Sequence, residues 1–107
     1  MEEKEIYRFR VDLKYALKRV IDPEMSVDVY ELGLIRRMDI VDDQDIEIDM
    51  ILTSPACPVA DELVEQVKKE VNTVKGVREV TVNLLTDPWD QSMLREEARL
   101  ALGIYDW

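Results

Sequence analysis

Apolar residues near the start of the chain recur at Phe9, Leu13, Ala16, Leu17 and Val20. That spacing of i, i+4, i+7, i+8 and i+11 is one face of an α-helix, and it predicts a helix from Phe9 to Ile21. Lys14, Lys18 and Arg19 fall on other faces, and the last two suit the negative end of the helix dipole. Pro23 sets the limit, because the residue before a proline is pushed out of the α region.

Asp22 to Gly33 has no period and reads as a loop, with a short turn around Val29–Leu32 and a close at Leu32-Gly33. Its length is unusual for a connection in a small domain, and such loops often carry function. Leu34 to Val41 follows as a strand with Leu34, Met38 and Ile40 on one face and Arg36 as the exception. After the polar turn Asp42-Asp43-Gln44, Asp45 to Leu52 alternates Ile46, Ile48, Met50 and Leu52 against Asp45, Glu47 and Asp49. Strict alternation marks a half-buried strand, and the short turn makes the pair an antiparallel hairpin.

A second helical period runs through Ala60, Leu63, Val64, Val67, Val71 and Val74 to Lys75-Gly76. Pro58 suits its first position, where the missing N–H costs nothing, and Gly76 suits its C-terminal cap. Val77 to Thr86 is a third strand, with Val80, Val82 and Leu84 facing one way and Glu79, Thr81 and Asn83 the other. Asp87-Pro88-Trp89-Asp90 breaks it. Ser92 is placed to cap a last helix with Leu94, Ala98, Ala101 and Leu102 on its inner face, ending at Gly103.

The order α-β-β-α-β-α predicts a two-layer α/β (α+β) fold with a mixed three-stranded sheet covered on one face by helices. The second and third strands should be parallel, joined by a right-handed helical crossover. The uncovered face would hold Glu47, Asp49, Thr81 and Asn83 together with Ile51 and Leu85. Those last two would be apolar on a wet surface, which points to a partner there.

Composition narrows the function. The 107 residues suit one domain spanning 1–107. A net charge of -10 argues against a broad basic surface for nucleic acid or anionic membrane. The charged start Met1-Glu2-Glu3-Lys4-Glu5 lacks the apolar core of a signal peptide, and no apolar run is long enough for a bilayer span. The chain has no histidine, which excludes Ser-His, Cys-His and His-metal sites. Its single cysteine excludes an internal disulfide and fits a reducing, cytoplasmic setting.

Cys57 is the chemically distinctive residue. With Pro58 at the first helical position, Cys57 sits at the N-cap, beside unpaired N–H groups that stabilise a thiolate. Asp61 and Glu62 oppose a second anion there, and no Lys or Arg lies within eight residues. The other reading is a small buried cysteine at a strand–helix junction. An iron–sulfur cluster takes about four ligands, so one thiolate per monomer needs ligands from a second subunit, a client or a small thiol. Asp22, Glu24 and Asp28, with Asp87 and Asp90, form either a carboxylate cluster for a hard cation or for acid–base work, or ordinary turn chemistry. Trp89 reads as packing or as an interface residue. Tyr105 and Trp107 form an aromatic tail that folds back or binds elsewhere.

Three motifs carry a family resemblance. They are Val20-Ile21-Asp22-Pro23-Glu24 with Val27-Asp28-Val29 and Leu32-Gly33-Leu34-Ile35; Met50-Ile51-Leu52-Thr53-Ser54-Pro55-Ala56-Cys57-Pro58; and Val74-Lys75-Gly76-Val77 with Val80-Thr81-Val82 and Asp87-Pro88-Trp89. In this order and spacing, from about Phe9 to Gly103, they resemble the SufT/PaaD-like family, which contains the MIP-type iron–sulfur targeting proteins. Asp87 stands where the family usually has a proline, and the cysteine-bearing C-terminal extension of the phenylacetate-pathway members is absent. The resemblance implies an iron–sulfur cluster assembly domain-like fold and a non-enzymatic maturation factor, a cluster carrier or a targeting adaptor for client apoproteins. It places the motif cysteine on Cys57 and the acidic loop motif on Asp22 and Glu24, with Thr53, Pro58 and Trp89 in the motifs around them.

The expected cofactor is therefore a transient iron–sulfur cluster with Cys57 as a shared metal ligand. The expected partners are client iron–sulfur apoproteins and assembly scaffold proteins, with no nucleic acid and no membrane. Self-association into a homodimer or homo-oligomer would supply missing ligands and cover Ile51 and Leu85. The alternatives are a protein–protein adaptor that holds no cluster, a subunit-assembly factor for a phenylacetate-type oxygenase, and a thiol enzyme using Cys57 with a carboxylate base.

Overall fold

The computed structural model describes residues 2–53 and 60–101. In it α1 (Glu3–Leu17) is followed by β1 (Ile35–Val41), β2 (Asp45–Met50), α2 (Ala60–Asn72), β3 (Glu79–Leu84), a single 3₁₀ turn (Gln91–Met93) and α3 (Glu96–Ala101). The sheet order is β1-β2-β3, with β1 antiparallel and β3 parallel to the central β2. This is the expected mixed sheet. Its inner face carries Ile46, Ile48 and Met50, fully buried in one cluster with Phe9, Leu13 and Leu17 of α1 and Leu63, Val67 and Val71 of α2. Among the described residues no helix is long and apolar enough to cross a membrane.

The element boundaries shift for local reasons. α1 starts two turns before Phe9, because Glu3 and Glu5 complement the positive end of the dipole even though those turns are mostly exposed. It ends at Leu17 rather than Ile21. The N–H groups of Arg19 and Val20 tighten to the carbonyls of Ala16 and Leu17. Ile21 then pairs with Asp28 in an isolated bridge, so the chain has left the helix before Pro23 can end it.

The β1–β2 turn has positive φ at both Asp42 and Asp43, the pattern of the I′ turn whose twist matches a hairpin. Arg36, the exception in β1, is the extra residue of a bulge between Ile35 and Arg37, and its guanidinium returns to the Gly33 carbonyl at 3.1 Å. β2 stops at Met50 rather than Leu52, and β3 covers Glu79–Leu84 rather than Val77–Thr86. α2 ends at Asn72, so Gly76 (φ +99°) is not its cap. It sits in the next turn, where the Val77 N–H reaches the Val74 carbonyl. Ser92 does not cap the last helix. Asp90 caps the 3₁₀ turn by accepting from the Ser92 N–H at 2.7 Å, and α3 begins four residues after Ser92. The expected placement of Cys57 and Pro58 at the start of α2, the end at Gly103, the side chains of Ala101 and Leu102 and the aromatic tail lie outside the described residues.

Two burial expectations are corrected. Ile51 is fully buried, and Leu85 is half-buried against the core. The Ile51 N–H bonds to the Leu34 carbonyl at 2.9 Å, and Ile51 belongs to the same cluster as Val29, Leu32, Leu34 and Leu94. The first loop and the C-terminal segment thus cover this end of the sheet on the side that alternation alone leaves open. The exposed-patch argument for self-association therefore falls away. Leu84, expected inside, is 44% exposed instead.

Candidate functional site

The first loop is built on two aspartates. Asp22 is 2% exposed, and its carboxylate accepts from the N–H groups of Glu24 (2.8 Å) and Met25 (3.2 Å). Its own N–H reaches the Val27 carbonyl, and its carbonyl takes the Ser26 N–H. A short side chain that satisfies its own following backbone is the reason Asp opens such turns. Asp28 does the same for the next turn, accepting from the Glu31 N–H at 2.9 Å. Burial raises the Asp28 carboxyl above the usual aspartate value, with the N–H of Glu31 as the main opposing influence.

The turn from Val29 closes at Gly33 in a Schellman pattern, with Leu34 N–H to Val29 carbonyl and Gly33 N–H to Tyr30 carbonyl. Gly33 has φ +78°, and a Cβ there would lie 2.1 Å from the Met93 carbonyl oxygen.

The C-terminal segment clasps this turn. The Trp89 indole N–H donates to the Leu32 carbonyl at 2.7 Å. The Arg95 N–H donates to the Glu31 carbonyl at 2.7 Å, and the Arg95 guanidinium lies 4.1 Å from the centre of the Tyr30 ring. Buried Glu31 accepts from the Glu97 N–H at 3.2 Å and faces Lys18 at 3.6 Å. Lys18 also binds Glu97 at 3.0 Å, and its ammonium is held above the ordinary lysine value chiefly by that bond.

The expected site residues gather in part. The Thr53 hydroxyl donates to the second oxygen of Asp22 at 3.3 Å, which ties the exit of β2 to the head of the first loop. Thr53 and Trp89 line one cleft of about 280 Å³ with Leu52, Leu84, Leu85, Thr86, Asp87 and Pro88. Trp89 meets the first loop at Leu32, not at Asp22. Glu24 is exposed, and only its backbone N–H is drawn into the Asp22 turn.

Cys57 and Pro58 lie outside the described residues, in the stretch that leaves Thr53. The five loop carboxylates do not converge. Asp22, Asp28 and Asp90 each cap backbone, and among the described residues no group of three His, Cys, Asp or Glu side chains could hold a metal ion. Bonds from the Ser92 hydroxyl and N–H hold Asp90 below the usual aspartate value.

The sequence pattern marks Gly33 as the close of the loop but not its contact with Met93, and it does not mark Glu31 or Arg95. One signal was available: Asp28-Val29-Tyr30-Glu31 has the spacing of a helix capping box. The partner of Glu31 is 66 residues away, and no local pattern announces it.

Away from this end, the open sheet face carries a polar network. Arg37 binds Asp49 (2.7 Å), Glu47 (3.2 Å) and Asp39, while Asn83 donates to Asp49 (2.9 Å) and Glu47 (3.3 Å). Bonds from Arg37 and then Asn83 hold the Asp49 carboxyl below its ordinary value.

The fold and site thus define a small α+β domain in which the exits of β2 and β3 meet an aspartate-headed loop. Comparison with known proteins agrees with this class. Residues 10–84 match the family model described as iron–sulfur cluster assembly protein. A protein of Porphyromonas gingivalis named Fe-S protein maturation auxiliary factor is 44% identical over 93 residues, covering 86% of this chain and 89% of that one. The auxiliary factor SufT of Staphylococcus aureus is 34% identical, covering 79% and 98%. The crystal structure of a domain of unknown function from Bacillus anthracis superposes with a TM-score of 0.83 at 37% identity, covering 92% of this chain and 95% of that one. The chain belongs to the iron–sulfur cluster assembly protein family.

Proposed function

We propose that this chain matures iron–sulfur proteins by carrying a cluster, or by bringing a cluster carrier to client apoproteins, in the cytosol and without a catalytic step. The cluster is cargo, and Cys57 supplies one thiolate to it. Support comes from the relatives named as maturation auxiliary factors. The observation that carries the reading is the Thr53–Asp22 bond, which fixes the start of the Cys57-bearing stretch to a buried, fully engaged carboxylate beside the Trp89 cleft. Thr53 holds the entry to that stretch against the first loop, and the chain has no histidine to serve as the usual base, as suits a ligand better than a nucleophile.

With one cysteine and no histidine, the remaining cluster ligands come from a partner chain or a small thiol. Client apoproteins and assembly scaffolds are therefore the proposed partners. The test is anaerobic reconstitution with iron, sulfide and a small thiol, comparing the intact chain with Cys57→Ala. The expected result is visible cluster absorption in the first and none in the second. Equal absorption removes the ligand role. Capture of iron–sulfur apoproteins that survives Cys57→Ala assigns the chain to the adaptor reading.

A further inference from the structure

The two edges of the sheet differ. β1 is guarded: a bulge at Arg36 interrupts it, Arg10 of α1 donates to the Met38 carbonyl at 3.4 Å, and Arg36, Arg37 and Asp39 put charge along it. Natural sheets block edge pairing by such means. β3 has no bulge and only one charged residue, Glu79 at its start. Its six residues, Glu-Val-Thr-Val-Asn-Leu, contain no Pro, Gly or Lys and run beside β2 without a register shift. The Leu85 N–H donates to the Met50 carbonyl at 2.8 Å. By the alternation of a parallel ladder, the backbone groups of Thr81 and Asn83 also turn toward β2, and those of Val80, Val82 and Leu84 turn outward. Among the described residues nothing pairs with these outward groups.

We propose that the β3 edge receives an extended segment of a partner protein in which basic residues alternate with apolar ones. The unpaired backbone selects a strand, as in other cases of strand addition, and the flanking side chains select its pattern. On the open face Thr81 is small and pairs in register with Glu47, so a Lys or Arg beside Thr81 reaches across to that carboxylate. The network behind it sets three carboxylates against the one guanidinium of Arg37, and Asp49 lies in register with Asn83. On the other face Leu84 is 44% exposed and opens onto the cleft with Leu52, Leu85 and Pro88, where an apolar side chain fits. A second copy of this chain is the poorer occupant, because it would bring ten further negative charges to the same edge. The inference is independent of whether Cys57 holds a cluster.

The test uses the full chain, ¹⁵N-labelled, with two end-blocked eight-residue probes, one alternating Lys and Val and the other Glu and Val. The Lys–Val probe is expected to shift the amides of residues 79–85, to slow hydrogen exchange at Val80, Val82 and Leu84, and to bind about tenfold more tightly than the Glu–Val probe. Glu47→Gln should weaken it about two- to fivefold, the scale of one exposed ion pair. Thr81→Lys, with its own ammonium beside Glu47, should weaken it as well; should that variant fail to fold, Glu47→Gln alone decides. No binding, equal binding of the two probes, or shifts spread over the acidic surface without protection of the β3 amides would each overturn the proposal. So would protection of those amides in the peptide-free chain together with a dimer mass on sedimentation.

Discussion

Replacing Gly33 with alanine sets a side chain against backbone. The new Cβ lies 2.1 Å from the Met93 carbonyl oxygen and 3.0 Å from the Met93 Cβ. A carbonyl in a hydrogen-bonded turn cannot rotate aside as a flexible side chain would, so the segment from Trp89 to Arg95 must move bodily. The left-handed backbone at φ +78° adds about 1–2 kcal/mol for any residue with a Cβ. Displacing the segment loosens the Trp89–Leu32 and Arg95–Glu31 hydrogen bonds, each worth about 1 kcal/mol net.

The expected loss for Gly33→Ala is therefore about 3–4 kcal/mol, a large share of the ~5–15 kcal/mol typical of a domain. Gly76→Ala is the control. It has the same backbone penalty at φ +99°, but its Cβ would meet only the Phe9 ring, at 3.8–3.9 Å. It should cost about 1–2 kcal/mol. Urea unfolding of both variants measures the difference, and the Trp89 indole N–H resonance reports the clasp directly. A Gly33→Ala loss equal to that of Gly76→Ala, with the indole signal unmoved, would refute the close-packing argument.

Four further outcomes follow from the same geometry. Asp22→Ala should destabilise by about 2 kcal/mol in urea unfolding, because it removes the acceptor shared by the N–H groups of Glu24 and Met25; a loss under about 0.5 kcal/mol would deny Asp22 its anchoring role. Trp89→Phe keeps one aromatic ring but deletes the donor and part of the packing, so at least about 1 kcal/mol should be lost while far-UV circular dichroism stays unchanged. Asp28 is an acid whose folded value is raised, so its ionisation costs the folded state stability, a cost that appears as pH rises from the ordinary aspartate range through the raised one. Asp28→Asn keeps the acceptor for Glu31 and should raise the urea midpoint at pH 7 but not well below the ordinary value; equal effects at both would refute the burial explanation. Asp45 and Asp49 are lowered acids, so their stabilisation is present above the ordinary aspartate value and fades as pH falls through their folded ones. Arg78→Gln should bring the Asp45 carboxyl back up toward that value in an NMR titration, since Arg78 is its first cause of lowering, and should leave Asp49 in place.

Period and punctuation carried most of the fold. Ile46, Ile48 and Met50 alternate strictly, so β2 and the inner face were legible, and the polar Asp42-Asp43 turn signalled the hairpin. What failed was tertiary. Ile51 has the parity of Glu47 and Asp49, yet it is buried because loops from both ends of the chain cover that end of the sheet. Gly76 looked like a cap because Val74 continues the apolar period of α2, although hydrogen bonding had already tightened at Thr73 and Val74. At the site, Asp22 and Thr53 were readable as motif residues, but their bond spans 31 positions and needs the fold to be seen. Cys57, the residue that sequence chemistry singled out, lies outside the described residues, so its geometry adds nothing to the motif.

The clasp on the first loop has a consequence for how the protein is born. The loop that holds Asp22 leaves the ribosome well before its fasteners, Trp89, Met93, Arg95 and Glu97. The 60 positions between Gly33 and Met93 take about 3–12 s to translate at ordinary elongation rates. For that interval the nascent chain can assemble α1, the hairpin and α2 while the loop is still unlatched. Closure of the loop becomes a late event timed by the ribosome, and a chain that stalls before Trp89 emerges without it.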